Sequence, residues 1–364
     1  MADNFAFAHE HREQIAWMSQ NTNTIPLTPK IKQAMIDAIE DGEYHLYPHR
    51  RGIAGLPEAI KDDLGLPDHE VVVTNGGLEG TYMATRALLR RGDEVVATDP
   101  SFLPIHDQIL LCEATIREVG IYRKPWRLTP EGLEASITPA TRMLFLVDPH
   151  NPLGFSYTRS EKKALCDVAA EHDLTILDDI TYRDFNPGHI LASEFYPERT
   201  IVSWSFSKGP GLAGMRVGAL LCPPARMKEV KRFDTNVLGA NVLGQRAALA
   251  ALRSKKEWIK VVRDTCARNQ EIVRKAVAKV DGCFLPVYPS KANLFVIDIA
   301  ETGVNPDAVE ERMLLQHKVH IRSGTYLSKS VGSRFVRVSF SVQEKDAKRF
   351  AKAFPAVMAA LAPR

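Results

Sequence analysis

Lys208 lies in a segment whose residue types favour chemistry, SWSFSKGPGLAGMRVG at 203–218. Serines precede it, and three glycines lie between it and Arg216. Apolar runs at 200–204 and 217–221 predict a short buried strand on each side. A lysine held in a tight loop between buried strands loses hydration, so its pKa falls and its amine becomes a nucleophile. The segment therefore predicts a reactive amine rather than a solvated lysine.

The same segment contains a G-x-G-x-x-G match at Gly209–Gly214. A dinucleotide-binding fingerprint needs a strand before it and a helix opening from it. The residues that follow, 216–221, predict a strand instead. The pattern therefore argues against a nucleotide-dependent oxidoreductase, which stays a second functional class.

The elements that would position Lys208 alternate between strands and helices. Helical patterns occupy 78–90 and 160–172, and apolar runs predict strands at 71–74, 94–98, 115–119, 143–147, 174–177 and 200–204. Such alternation is typical of a mostly parallel sheet with helices on both faces, a three-layer α/β domain. Ligands of these sheets bind outside the carboxyl ends of the strands.

Polar residues follow several of the predicted strands. They are Asn75, Asp99–Phe102, Asp148–Gly154, Asp178–Tyr182 and Ser205–Lys208. Because the carboxyl ends of parallel strands share one edge, we expect these residues to converge on one site. Asn75-Gly76-Gly77 opens a helix, and free N–H groups there would bind a phosphate. A plain tight turn would have the same sequence.

Two further regions have distinct patterns. Thr28, as a cap, and Pro29 begin an amphipathic helix that ends near Gly42. The loop Tyr44–Gly52 is either a packed loop with solvated arginines or an anion-facing one. Beyond residue 221, helical patterns at 225–280, strands at 294–299, 319–321 and 335–340, and a helix at 344–361 predict a smaller α+β domain.

Composition narrows the functional classes. The chain has 364 residues and a formal net charge of +3, which gives no argument for nucleic acid or membrane partners. The polar first twenty residues lack an apolar signal core, so a cytoplasmic location is expected. The five cysteines are scattered, which favours free thiols over disulfides or zinc. His45 and His49 are separated by Pro48, which argues against a helical metal site, so no metal is expected.

With a lysine, a possible phosphate loop, an aromatic ring and strand-end acids, the chain resembles the class I/II aminotransferases of PLP (pyridoxal 5′-phosphate) fold type I. The resemblance covers nearly the whole chain from about Thr24. It implies an N-terminal segment and helix (1–45) packed with the small domain, a large PLP-binding domain (46–250) and a small α+β domain (251–364). It also implies a homodimer with shared active sites.

The resemblance also implies roles at the lysine and phosphate ends of the site. Lys208, in Ser205-Phe206-Ser207-Lys208, matches the Schiff-base lysine and proton carrier. Ser205 and Arg216 match residues that bind the PLP phosphate. The loop Gly76-Gly77-Leu78 matches the phosphate loop, with backbone N–H groups of Gly77 and Leu78 as donors. Tyr47 matches a tyrosine that crosses the dimer interface to the partner's phosphate.

Further matches concern the cofactor ring and the substrate. Phe102 matches the aromatic that stacks on the pyridine ring, and Asn151 and Tyr182 match residues that bond the ring oxygen. The family pattern Asp-x-x-Tyr selects Asp179, rather than Asp178, as the partner of the ring nitrogen. Arg337 matches the arginine that binds the substrate α-carboxylate, with Asn151 beside it.

The implied activity is transfer of an amino group between an L-amino acid and a 2-oxo acid. The same site supports a PLP-dependent lyase of C–S lyase, decarboxylase or cyclase type, and fold alone does not select between them. An inactive PLP-binding homologue would lack turnover. Side-chain specificity stays open. The candidate residues near the substrate are His49, Arg50 and His106 for a polar side chain, and Trp17 and Phe102 for an apolar one.

Overall fold

The computed structural model describes residues 4–234 and 238–362. Its strands, in chain order, are Ala16–Trp17 (β1), Glu70–Thr74 (β2), Glu94–Asp99 (β3), Thr115–Gly120 (β4), Thr141–Val147 (β5), Thr175–Asp179 (β6), Thr200–Ser205 (β7), Gly218–Cys222 (β8), Leu294–Asp298 (β9), Val319–His320 (β10), Arg322–Ser323 (β11) and Phe335–Ser339 (β12). Its α-helices are Asn4–Glu10 (α1), Pro29–Glu40 (α2), Leu56–Leu64 (α3), Gly77–Leu88 (α4), Pro104–Leu110 (α5), Pro130–Glu134 (α6), Arg159–Glu171 (α7), Pro224–Val230 (α8), Val242–Arg253 (α9), Lys255–Val277 (α10), Pro306–His317 (α11) and Glu344–Leu361 (α12).

A seven-stranded sheet has the strand order β2-β8-β7-β6-β5-β3-β4. Only β8 runs antiparallel to its neighbours in this sheet. The other adjacent pairs are parallel, which confirms the prediction of a mostly parallel sheet. The residues after Gly214 form a short 3-10 turn and then β8, not a helix. The G-x-G-x-x-G match therefore lacks the helix that dinucleotide binding needs.

Alternating side chains of the central strands bury the two faces of this sheet under different helices. Phe145 and Val147 of β5 belong to one apolar cluster, which also contains Met83 of α4. Leu144 and Leu146 belong to the other cluster, which contains three residues of α7, namely Leu165, Cys166 and Ala169. Strand side chains alternate between faces, so both faces need an apolar cover. The result is the predicted three-layer domain.

The C-terminal part contains the antiparallel sheet β11-β12-β9 with α10, α11 and α12. The helical patterns predicted at 225–280 are confirmed as α8, α9 and α10, and residues 235–237 within that range lie outside the described residues. One prediction for this part was wrong in detail. The predicted strand at 319–321 is two short strands, because β10 pairs with β1 while β11 pairs with β12. The α+β character is as predicted.

The N-terminal segment contacts both parts of the molecule. β1 lies parallel to β10, and Ala8 of α1 shares an apolar cluster with Leu314 of α11. Helix α2 packs on α9. Thr28 precedes α2 but makes no capping bond, because its hydroxyl donates to Glu257 at 3.2 Å. The division into 1–45, 46–250 and 251–364 stays a prediction.

Candidate active site

A cavity of about 210 Å³ lies outside the carboxyl ends of β5, β6 and β7. Strand register explains this convergence, since Val147 pairs with Asp179 and Asp179 with Ser203. The strand ends are therefore level, and the residues that follow them face one space. Ten of the predicted site residues line it: Gly77, Leu78, Phe102, Asn151, Asp179, Tyr182, Ser205, Lys208, Arg216 and Arg337.

The remaining predicted residues lie outside the lining. Gly76 is adjacent to it, at the N-terminus of α4. The Tyr47 side chain is 78% exposed and does not line the cavity. Of the residues considered for substrate specificity, Phe102 lines the cavity, whereas His106 faces Glu118 and Arg50 pairs with Asp234. Trp17 and His49 also lie outside the lining.

The Lys208 amine is surrounded by cations and backbone. Its Nζ donates to the carbonyl of Gln20 at 2.8 Å. Burial, with the positive charges of Arg337 and Arg216, lowers the pKa of Lys208 to about 7 despite the carboxylate of Asp179. A large fraction of the amine is therefore neutral and nucleophilic near pH 7.

The two adjacent acids at the end of β6 face opposite ways. Asp179 lines the cavity, and its Oδ1 accepts a bond from the N–H of Thr181 at 3.0 Å. Burial raises the pKa of Asp179 to about 6, so it is charged at neutral pH. Asp178 instead accepts bonds from Lys162 Nζ at 3.3 Å and from the N–H of Ala192 at 2.9 Å. Only Asp179 is therefore available to a ligand in the cavity.

Behind the cavity lies a buried ion cluster that the sequence analysis missed. Lys162 of α7 contacts Asp148 at 2.7 Å and Asp178 at 3.3 Å, and all three side chains are 0% exposed. Burial alone would lower the pKa of Lys162, but these carboxylates outweigh it and raise the pKa. The cluster joins the ends of β5 and β6, from which Asn151 and Asp179 extend. The available signal was spacing, because Lys162 lies on the same helical face as Leu165 and Cys166.

One end of the cavity combines a helix N-terminus with a cation. Arg216, with a left-handed backbone (φ 50°), donates to the carbonyls of Ala213 at 3.1 Å and Asn75 at 3.4 Å. Within residues 4–234 and 238–362, no carboxylate pairs with it. A Cβ at Gly76 would lie 2.5 Å from Arg216 Nη2, so the backbone approaches the guanidinium closely. Free N–H groups, Arg216 and the Ser205 hydroxyl together suit an anion.

A second buried cation is Arg337, which β12 contributes. Arg337 is 7% exposed, and burial lowers its pKa to about 10, so it stays charged at neutral pH. Its Nη1 donates to Asn151 Oδ1 at 2.9 Å and its Nη2 donates to the carbonyl of Ser19. Nε has no partner, and Arg337 forms no ion pair in the described part of the chain. A buried guanidinium without a carboxylate favours binding of a carboxylate from outside.

The segment 19–21 contributes a wall of the cavity through Gln20 and Asn21, and the sequence analysis did not resolve this segment residue by residue. Ser19 and Gln20 accept bonds from Arg337 and Lys208 through their carbonyls. Asn21 Nδ2 donates to the Tyr182 hydroxyl at 2.9 Å. Burial raises the pKa of Tyr182 to about 12, so the phenol keeps its proton. Backbone contacts leave no residue-type signal at Ser19 and Gln20, which explains the omission.

The described residues contain no cluster of three His, Cys, Asp or Glu side chains suited to a metal. No described helix is both long and apolar enough to cross a membrane.

The architecture is that of PLP fold type I. It combines a large mixed sheet with a smaller α+β part, and one cavity contains the lysine, the aspartate and the arginines.

The chain belongs to the family of class I and II aminotransferases, whose model matches residues 13–354. The aspartate aminotransferase of Pyrococcus horikoshii is 30% identical over 334 residues, covering 87% of this chain and 84% of the relative. The arginine–pyruvate transaminase of Pseudomonas aeruginosa is 28% identical, covering 86% and 83%. The solved structure of N-succinyldiaminopimelate aminotransferase from Mycobacterium tuberculosis superposes with a TM-score of 0.88 at 21% identity, covering 98% and 96%. The protein is therefore an aminotransferase.

Proposed function

We propose that this aminotransferase holds PLP in the cavity at the strand ends and moves amino groups between L-amino acids and 2-oxo acids there. The observation that carries the proposal is the convergence on one cavity of a lysine with a lowered pKa, a buried carboxylate and two arginines that have no carboxylate partner among the described residues. No single one of these groups suggests the cofactor, but PLP and an amino-acid substrate together would use all of them.

The residues present fit PLP by the chemistry of their donor groups. Arg216, Ser205 and the N–H groups of Gly77 and Leu78 would hold its phosphate. Asp179 would pair with the ring nitrogen, and Asn151 and Tyr182 would bond the ring oxygen while Phe102 covers a ring face. When bound, PLP supplies an aldehyde for amines and a ring that withdraws electrons.

The chain's own residues would then carry the proton and orient the substrate. The Lys208 amine, neutral in a large fraction near pH 7, would take a proton from the substrate α-carbon and return it. The fixed charge of Arg337 would hold the α-carboxylate, aided by Asn151. Walls that exclude water, including residues 19–21, would keep that proton from exchanging with solvent.

The substrate class that this arrangement favours is α-amino acids with a free α-carboxylate. Relatives are named for different amino acids, aspartate and arginine among them. What they would share with this chain is the α-carboxylate contact of Arg337.

The side-chain pocket would be completed by a second copy of the chain. The exposed ring of Tyr47 would reach the partner's phosphate site in a homodimer. We place the enzyme in the cytoplasm.

The test is an amino-donor screen on the purified holoenzyme that measures both 2-oxo acid and ammonia. Product 2-oxo acid that requires an added acceptor supports transamination. Ammonia released without an acceptor would support elimination, the C–S lyase type of the alternative. Lys208→Ala should abolish turnover and remove borohydride-trapped cofactor from the peptide containing residue 208. The matched control is Lys163→Ala, an exposed lysine that pairs with Asp167 and should change neither result.

A second variant tests the choice between the adjacent acids. Asp179→Ala should lose most of its turnover, because the cofactor ring would lose the carboxylate that stabilises its charged nitrogen. Unchanged rates in this variant would show that Asp179 is not the carboxylate that pairs with the ring nitrogen.

A further inference from the structure

Asn21 is a buried polar residue in the cavity wall whose role the proposed function does not yet explain. It is 2% exposed, and its Nδ2 donates to the hydroxyl of Tyr182 at 2.9 Å. Its Oδ1 is also buried and has no hydrogen-bond partner among the described residues. An unpaired buried carbonyl costs free energy, so packing alone does not account for an asparagine at this position.

The backbone holds Asn21 firmly in place. Its N–H donates to Ser339 Oγ at 3.2 Å, and its carbonyl accepts from Asn293 Nδ2 at 2.9 Å. Its φ of 55° lies in the left-handed region, which asparagine tolerates better than most residues and which suits glycine. The side chain is therefore directed at Tyr182 by a fixed main chain, not by rotation of a loose loop.

In the contact between Asn21 and Tyr182, the amide is the donor and the phenol oxygen is the acceptor. A phenol offers one proton and accepts on its oxygen. Because the Asn21 amide donates to the oxygen of the phenol, the phenol's own proton is not used in this contact. No residue within 4–234 and 238–362 accepts that proton from Tyr182. The phenol also keeps the proton at neutral pH, since burial raises the pKa of Tyr182 to about 12. The Tyr182 O–H is thus free to donate to a molecule in the cavity.

We infer that Asn21 is a positioning residue that fixes the Tyr182 phenol as a hydrogen-bond donor toward an acceptor oxygen of the ligand in the cavity. The inference rests on the proposed function, in which that ligand is PLP. Asn21 acts through Tyr182 and does not take part in bond breaking.

Two substitutions separate this role from a structural one. Asn21→Gly keeps the left-handed backbone and removes the donor, so the phenol is still free to donate but is no longer held. Asn21→Asp keeps the shape but offers a carboxylate, which would accept the phenol proton and withdraw it from the ligand. We expect holoenzyme kcat/KM to fall about threefold to tenfold in Asn21→Gly. The fall should be larger in Asn21→Asp.

The readout beyond activity is the pH titration of the holoenzyme's visible absorbance. Asn21→Asp adds a negative charge to the cavity that Lys208 also lines and should move the midpoint upward by about one pH unit. Asn21→Gly should move it by less. Ser339→Ala removes one of the two backbone anchors of residue 21, so it should lower thermal stability and move the midpoint by less than Asn21→Gly does. The control is Lys163→Ala, an exposed lysine that pairs with Asp167 and should leave the midpoint unchanged.

A double-mutant cycle with Tyr182→Phe closes the test. In the Tyr182→Phe background, Asn21→Gly should change kcat/KM and PLP affinity by less than about twofold, because its only target is gone. An equal effect in both backgrounds would overturn the inference, and so would an Asn21→Asp enzyme as active as the wild type. A wild-type protein that binds no PLP would refute the proposed function instead, so the two failures are distinguishable.

Discussion

Replacing Lys162 by methionine should destabilise the protein strongly, although the two side chains are similar in length and both would be buried. The change leaves Asp148 and Asp178 buried at 0% exposure without the ammonium that lies 2.7 and 3.3 Å from them. Removing one partner of a buried ion pair costs about 3–5 kcal/mol, because the remaining charge is uncompensated. Lys162 bridges two carboxylates, so the upper part of that range is expected.

The expected shift in melting temperature follows from chain size. The unfolding entropy is about 2.1 cal/mol/K per residue, which for 364 residues gives roughly 0.8 kcal/mol/K. A loss of about 3–5 kcal/mol then lowers the midpoint by about 4–7 °C if the chain unfolds as one unit. Scanning calorimetry or circular dichroism at equal cofactor loading would measure it.

Lys163 provides a control in the same helix, since it is exposed and pairs only with Asp167. Lys163→Met should change the free energy of unfolding by less than about 0.5 kcal/mol. Adding Asp148→Asn and Asp178→Asn to Lys162→Met should recover much of the loss, because neither buried carboxylate of this cluster is then left unpaired. A Lys162→Met protein that melts with the wild type would refute the reasoning, as would a triple variant less stable than the single one.

Three other changes test the cavity itself. Arg337→Lys should raise KM for amino acids about tenfold to hundredfold, since a hydrogen bond to a charged group contributes about 1.5–3 kcal/mol and lysine lacks the planar guanidinium. An unchanged KM in steady-state assays would contradict this. Because the pKa of Lys208 is lowered to about 7, its neutral form in the apoenzyme should increase as pH rises through 7, and amine labelling of its peptide should rise with it; labelling that begins only near pH 10 would argue against the lowered pKa. Gly218→Ala should cost about 1–3 kcal/mol, because the new Cβ would lie 2.6 Å from Gly76 C. Gly214→Ala should be tolerated in the same melting assay, because apart from the adjoining residues no described atom lies within 4 Å of its new Cβ.

The seven-stranded sheet was predictable because its strands are continuous apolar runs separated by helical periodicity. That pattern is strong when both faces of a sheet are buried. The strand ends then placed Asn151, Asp179 and Lys208 together without any knowledge of side-chain contacts. The split between β10 and β11 was not predictable, since it depends on β1 pairing with β10, a contact between remote parts of the chain.

The parts of the site that sequence reasoning missed depend on contacts that residue types do not encode. The wall at 19–21 acts partly through main-chain carbonyls, which every residue has. The sequence analysis did not single out Lys162 among the helix lysines, although its position on an apolar helical face indicates that it is buried. Tyr47 lies outside the cavity of one chain, so its predicted role depends on a second copy and stays a prediction.

The pairing of β1 with β10 has a consequence for how the protein is made. β1 leaves the ribosome long before β10 is synthesised, whereas β2 to β8 emerge in one continuous stretch and need no later residue to complete their sheet. Domains generally fold as units during synthesis, so the large sheet can assemble while residues 16–21 wait unpaired. Gln20 and Asn21 cannot complete their contacts until β10, Asn293 and Ser339 have been synthesised, because β1 pairs with β10 and the Asn21 main chain bonds to both side chains. A nascent chain therefore presents its strand-end groups to the solution before the wall covers them.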